Sequence, residues 1–154
     1  MFNLLIKVDD EDLKNLYQKQ IELSKETYDY NNSDSGFDLY LPEDIEIKPK
    51  ESKMIDLKIK TEPKFPGGFY LYPRSSFSKT PLRLKNSVGI IDNQYRGTLK
   101  VPLENTSDTQ TFVGKAGERY FQICHPSLIA MQVEMVDKLG ETVRGQGGFG
   151  STGK

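Results

Sequence analysis

The chain has 154 residues, enough for one domain with a sizeable core, so neither disulfides nor a structural metal is needed to hold it together. Its 21 Lys and Arg against 22 Asp and Glu give a net charge of −1, which removes any electrostatic case for binding a nucleic acid polymer. A single Cys124 excludes an internal disulfide framework, and with His125 as the one histidine there is no set of soft metal ligands, so Cys124 reads as a core thiol.

In chain order, residues 1–8 are apolar over too few positions for a signal-peptide core or a membrane span, and they run into the acidic stretch 9–12. An intracellular protein, cytoplasmic or nuclear, with no membrane segment is therefore expected. Asp9 or Asp10 can cap a short helix, with Leu13, Leu16, Tyr17 and Ile21 recurring at helical spacing. Residues 24–34 are polar and read as a loop. From about Gly36 the helical period gives way to short alternating or apolar runs punctuated by Pro, Gly, Asn and Asp. Strands are predicted over 37–41, 44–47, 53–60, 68–72, 82–84, 98–103, 109–113, 120–125 and 129–136. Many short strands at this spacing favour an all-β sandwich, jelly roll or barrel over a parallel α/β sheet. No repeat or Pro-rich linker divides the chain, so one β domain over 1–143 is expected, followed by a Gly-rich segment, 144–154.

Hydroxyls, cations, an acid and a tyrosine come in close succession between residues 73 and 104. Pro73-Arg74-Ser75-Ser76 offers a turn with a guanidinium and two hydroxyls, a sensible group of phosphate donors. Asp92 follows the apolar run 88–91, and Tyr95 follows three residues later. That pattern, Asp-Asn-x-Tyr-x-Gly after an apolar approach, reads as a β-hairpin with a polar tip. The final segment places Gly145, Gly147, Gly148, Gly150 and Gly153 around Phe149, Ser151 and Thr152, between the cations Arg144 and Lys154. Glycines let backbone N–H groups approach phosphate oxygens closely. Two familiar patterns fit this segment and fail on context. G-x-G-x-x-G over 145–150 has no βαβ unit after it, and G-x-x-x-x-G-K over 148–154 lacks the following Ser or Thr and helix.

Five segments, in order, resemble the five motifs of the trimeric dUTP pyrophosphatase (dUTPase) family: Ser35-Gly-Phe-Asp-Leu39, Pro73-Arg-Ser-Ser76, Gly89-Ile-Ile-Asp-Asn-Gln-Tyr-Arg-Gly97, Ala116-Gly-Glu-Arg-Tyr-Phe-Gln122 and Arg144-Gly-Gln-Gly-Gly-Phe-Gly-Ser-Thr-Gly153. The resemblance implies a distorted β jelly roll or barrel with a flexible C-terminal arm, assembled as a homotrimer whose sites combine motifs from different subunits. It implies hydrolysis of dUTP to dUMP and pyrophosphate by water attack on the α-phosphorus, which limits uracil incorporation into DNA and supplies dUMP for dTTP synthesis.

The resemblance also implies roles. Asp92 matches the base. Arg74, Ser75, Ser76, Gln122, Arg144, Gly150, Ser151 and Thr152 match phosphate-chain contacts. Asn86, Gly89, Ile91, Tyr95 and Phe149 match the surroundings of base and deoxyribose, with main-chain groups imitating a base pair, Tyr95 beneath the sugar and Phe149 stacked on the base. Mg²⁺ is implied as cofactor, held by the triphosphate and waters with no direct protein ligand, although Asp38 can reach its hydration shell. Gln94, Tyr120-Phe121 and Lys85 depart from common residues of the family. Two alternatives carry less: a dCTP deaminase of the same fold, whose proton-shuttling glutamate would fall on Pro102, two residues from Glu104, and a nucleotide-gated regulatory binder.

Overall fold

The computed structural model describes residues 3–147. Its elements run β1 (Asn3–Lys7), α1 (Glu11–Thr27), β2 (Gly36–Tyr40), β3 (Ile45–Ile47), β4 (Ser52–Pro63), β5 (Phe69–Pro73), β6 (Leu82–Leu84), β7 (Gly89–Ile91), β8 (Thr98–Asn105), β9 (Phe112–Gly114), β10 (Arg119–Cys124) and β11 (Gln132–Met135), with a 3₁₀ turn over Ser75–Lys79. The all-β expectation holds, with one helix near the N-terminus.

Helix α1 begins where the acids predict. Asp10 takes extended backbone angles and its Oδ2 accepts the Leu13 N–H at 2.8 Å, while Glu11 and Asp12 occupy the first turn. Asp9 instead takes the Lys7 ammonium at 2.7 Å. The helix is 17 residues long, so residues 24–27, read as loop, are helical. Its inward stripe is Leu13, Tyr17 and Ile21. Tyr17 stacks on Phe37, meets Tyr40 edge-on, and accepts the Tyr40 N–H on its phenol oxygen at 3.0 Å. Burial pushes the Tyr17 phenol far above its ordinary pKa, so the hydroxyl stays protonated.

The strands form a five-stranded sheet in the order β11-β1-β4-β8-β6, a four-stranded sheet β2-β10-β5-β7 and a small ladder β3-β9. All pairings are antiparallel except β1 with β11. The ladders do not close into a barrel; this is a sandwich of the jelly-roll kind. Alternation directs the packing. Leu99, Val101 and Leu103 of β8 point inward with Leu57, Ile59, Leu4 and Ile6, and they join Leu39, Phe69, Leu71, Phe121 and Ile123 from the facing sheet in one core. Cys124 is buried and its thiol is raised by that burial, consistent with a core role.

Two local readings are corrected. Residues 3–7, read only as a short apolar run, form a strand because β4 and β11 flank it on both sides. The acid-bearing segment is not a hairpin: β7 pairs with β5 and β8 pairs with β4 and β6, so residues 92–97 carry the chain from one sheet to the other.

Replacing Tyr17 by Phe keeps the packing and strands the Tyr40 N–H. A loss of about 1–3 kcal/mol of stability is expected in urea unfolding, the usual cost of an unsatisfied donor in a part-buried place.

Candidate active site

Strand β7 is an edge strand, so alternate backbone groups along Gly89–Ile91 face away from β5. Gly89 and Ile91 are themselves buried. Asn86 lies exposed in the preceding turn, and a Cβ placed on Gly89 would sit 3.8 Å from its Nδ2, so the two are close neighbours. After β7, the Tyr95 N–H donates to the Asp92 carbonyl at 3.1 Å and closes a tight turn. The Tyr95 ring turns inward, 4 % exposed, and its hydroxyl donates to the Thr98 carbonyl at 2.7 Å. Gly97 is required here, since a Cβ would come within 2.4 Å of the Tyr95 hydroxyl. Burial raises the Tyr95 phenol, which keeps that donor in place.

Asp92 points the other way, into solvent. Its side chain is 53 % exposed and pairs with the Nη1 of Arg144. Arg144 is held in turn by donation from its Nε to the Gly147 carbonyl at 2.7 Å.

A second polar group gathers at the other end of β5. Asp38 receives the Arg74 Nε at 3.0 Å on one oxygen and the Arg119 Nη1 at 3.1 Å on the other. Arg74 also donates through Nη1 to the Arg119 carbonyl at 3.1 Å, and its own N–H binds the Tyr120 carbonyl at 2.8 Å. Gln122 stands opposite Asp38 and Tyr72 in the ladder, and its Nε2 donates to the Pro73 carbonyl at 3.2 Å. Gly36 makes room for that amide, because a Cβ would fall 1.9 Å from Gln122 Oε1. Ser75 and Ser76 open the 3₁₀ turn, where first-turn N–H groups have no acceptor within the helix. An opening of about 340 Å³ adjoins Asp38 and Arg119, walled by Gln20, Ser24 and Ser35.

The structure therefore brings Arg74, Ser75, Ser76, Gln122 and Asp38 together, and separately Asp92, Tyr95, Asn86, Gly89, Ile91 and Arg144. It does not unite the two groups within one chain. Ile91 is opposite Phe69 and Phe121 is opposite Pro73, so Asp92 leaves one end of β5 and Arg74 the other, roughly 15–20 Å apart along the strand. Phe149, Gly150, Ser151 and Thr152 lie outside the described residues. Arg119 is the neighbour of Asp38 missed from sequence; it lies inside the fourth motif, but its partner is 81 residues away. Among the described residues, no three His, Cys, Asp or Glu side chains are placed to hold a metal ion, and no helix is long and apolar enough to cross a membrane.

A jelly-roll-like sandwich with an acid-bearing crossover at one end of β5 and an Arg-Ser-Ser turn at the other defines a β protein with a divided polar site. The family model described as dUTPase matches residues 25–153. The deoxyuridine 5'-triphosphate nucleotidohydrolase of Nautilia profundicola is 40 % identical over 121 residues, covering 78 % of this chain and 84 % of that one. Among solved structures, the dUTPase from Streptococcus mutans superposes with a TM-score of 0.54 at 32 % identity, covering 58 % of this chain and 75 % of the other. The native EIAV dUTPase gives 0.54 at 25 % identity, covering 82 % and 91 %. The chain belongs to the dUTPase family. Helix α1 falls almost wholly outside the matched region.

Proposed function

We propose that this protein hydrolyses dUTP to dUMP and pyrophosphate, at a site completed by neighbouring copies of the chain. One observation carries the shared site: the acid and the cationic group sit at opposite ends of β5, although both belong to motifs of a single reaction. A homotrimer in which one subunit's Asp92 faces another's Arg74 resolves that separation.

The reaction asks mainly for positioning and charge stabilisation, with one base to orient and deprotonate the attacking water. Asp92 supplies the base. The buried Tyr95 ring, Gly97 and the turn bond fix the backbone beneath it, while its carboxylate stays open to water. Arg74, Ser75, Ser76 and Gln122 take the phosphate chain, joined by Arg144, Gly150, Ser151 and Thr152. Asp38 braces the two guanidiniums rather than binding substrate. Mg²⁺ bound with the triphosphate would offset charge on the phosphates, and Asp38, both of whose oxygens already hold guanidiniums, would reach it only through water. The outward backbone groups of the β7 edge, with Asn86, match the uracil edge. They reject cytosine by leaving polar groups unpaired, at about 1–3 kcal/mol each. Tyr95 fixes the surface beneath the deoxyribose, and Phe149 covers the base.

Pyrophosphate release from dUTP, dCTP and dTTP, with ammonia as a second readout, tests this; release from dUTP alone without ammonia is expected, and ammonia from dCTP overturns it in favour of a deaminase. Asp92→Asn is expected to bind dUTP with near-wild-type affinity and to turn it over orders of magnitude more slowly. Mixing subunits of Asp92→Asn with subunits of Arg74→Gln, each inactive alone, should restore part of the activity after refolding together. No recovery in mixed trimers would mean that each chain builds its own site. Removing residues 144–154 is expected to abolish turnover while the number of subunits, from the oligomer's mass in solution, is unchanged; an active truncation would remove the segment from the mechanism.

A further inference from the structure

Glu62 belongs to none of the five motifs, yet it is 7 % exposed at the end of β4, an unusual place for a carboxylate. Its Oε1 accepts the Gly140 N–H at 2.5 Å and lies 3.7 Å from the Arg96 Nε, and its other oxygen meets the Lys64 ammonium. Arg96, with a side chain 12 % exposed, donates through Nη1 to the Asn93 carbonyl at 2.7 Å and the Tyr95 carbonyl at 3.2 Å, and through Nε to the Gly140 carbonyl at 3.1 Å. Its backbone N–H binds the Gly145 carbonyl at 2.6 Å. Thr142 adds a bond from its hydroxyl to the Gln94 carbonyl at 2.5 Å and accepts the Gly145 N–H at 2.9 Å.

Apart from Glu62 and Lys64, on and just after β4, the groups in these contacts fall on two segments. One is the turn that carries Asp92; the other is the stretch from Gly140 to Gly145 that leads into the glycine-rich end. Burying a carboxylate with a guanidinium carries a desolvation penalty that an apolar pair avoids, so stability alone gives no reason to keep it. Direction does: the rigid planar fork holds three carbonyls in set directions, which the rotatable ammonium of Lys does not fix and an apolar residue cannot bond at all.

We propose that Glu62 and Arg96 are positioning residues, a latch that fixes the Asp92 turn and the root of the C-terminal segment to one another. Residues 140–147 are then held in a set place relative to Asp92. Lys64 and the Gly140 N–H hold Glu62 below the usual carboxylate range, so it stays charged near neutral pH. The inference rests on the dUTPase reading for its catalytic consequence, though not for the latch itself.

Glu62→Gln, Arg96→Met and the double variant test it, with Gly140→Ala as a milder probe from the opposite wall, since a Cβ there would lie 3.0 Å from Glu62 Oε1. Each is measured for kcat and KM on dUTP, thermal midpoint, and amide hydrogen exchange at Arg96, Gly140 and Gly145. Expected is a kcat about tenfold to a hundredfold lower with a smaller change in KM, the effect of a misplaced but intact constellation. Exchange protection at the three amides is lost, and the double variant is no worse than the poorer single one, because the pair acts as a unit. If Glu62→Gln fails to fold, Gly140→Ala should still shift kcat and exchange in the same direction. Variants that keep wild-type kcat, or that lose it while the three amides stay protected, overturn the proposal. A wild-type chain that releases no pyrophosphate from dUTP defeats the substrate reading instead, and the latch then stands or falls on amide protection alone.

Discussion

Strand β5 is the constraint on which the site depends. It lies between β10 and β7, antiparallel to both, so the polar turns at its two ends project in opposite directions. At one end Gln122 and Asp38 gather with Arg74; at the other Asp92 leaves β7. No change of rotamer spans that separation, because side chains reach only a few ångströms and the strand between them is held on both sides. The sandwich acts as a rigid spacer, and its length keeps the two polar groups of one chain apart.

How Asp92 is held follows from the crossover. A hairpin would have left Asp92 on a solvated tip, free to move with its loop. Residues 92–97 instead step from one sheet to the other, with the Tyr95 ring driven into the core and its hydroxyl on the Thr98 carbonyl. Both sheets therefore anchor the turn. The carboxylate faces outward, which separates the rigidity of the backbone from the accessibility of the acid. Opposite requirements are met three residues apart.

Sequence made much of this legible because the informative residues have chemistry that survives without coordinates. Arg74, Ser75, Ser76, Gln122 and the glycines could be read by type and order, and the all-β class by period. Partner choice could not be read. β7 and β8 are consecutive strands with a turn-like connection, and only the tertiary fold shows that they pair with different neighbours. β1 is too short to declare itself without β4 and β11 beside it. Glu62 is invisible for a related reason: a single acid in Thr61-Glu62-Pro63 has no local signature, and its partners at residues 96 and 140 come from elsewhere in the chain. Its burial is the signal, and burial is a property of the fold.

Arg144 faces two claims, one from Asp92 in the chain itself and one from the phosphates its motif suggests. Magnitudes separate them. The ion pair with Asp92 is open to solvent, with the carboxylate side chain 53 % exposed and the guanidinium 26 %, and pairs of that kind contribute about 0–1 kcal/mol. A phosphate chain offers several oxygens and more than one charge to the same planar fork, where the Asp92 carboxylate offers a single charge. A weak bond surrendered for stronger ones costs little. The carboxylate that Arg144 leaves becomes a better acceptor for water at the moment the guanidinium moves to phosphate, so on the dUTPase reading the contact seen in the single chain does not oppose Asp92 as the base.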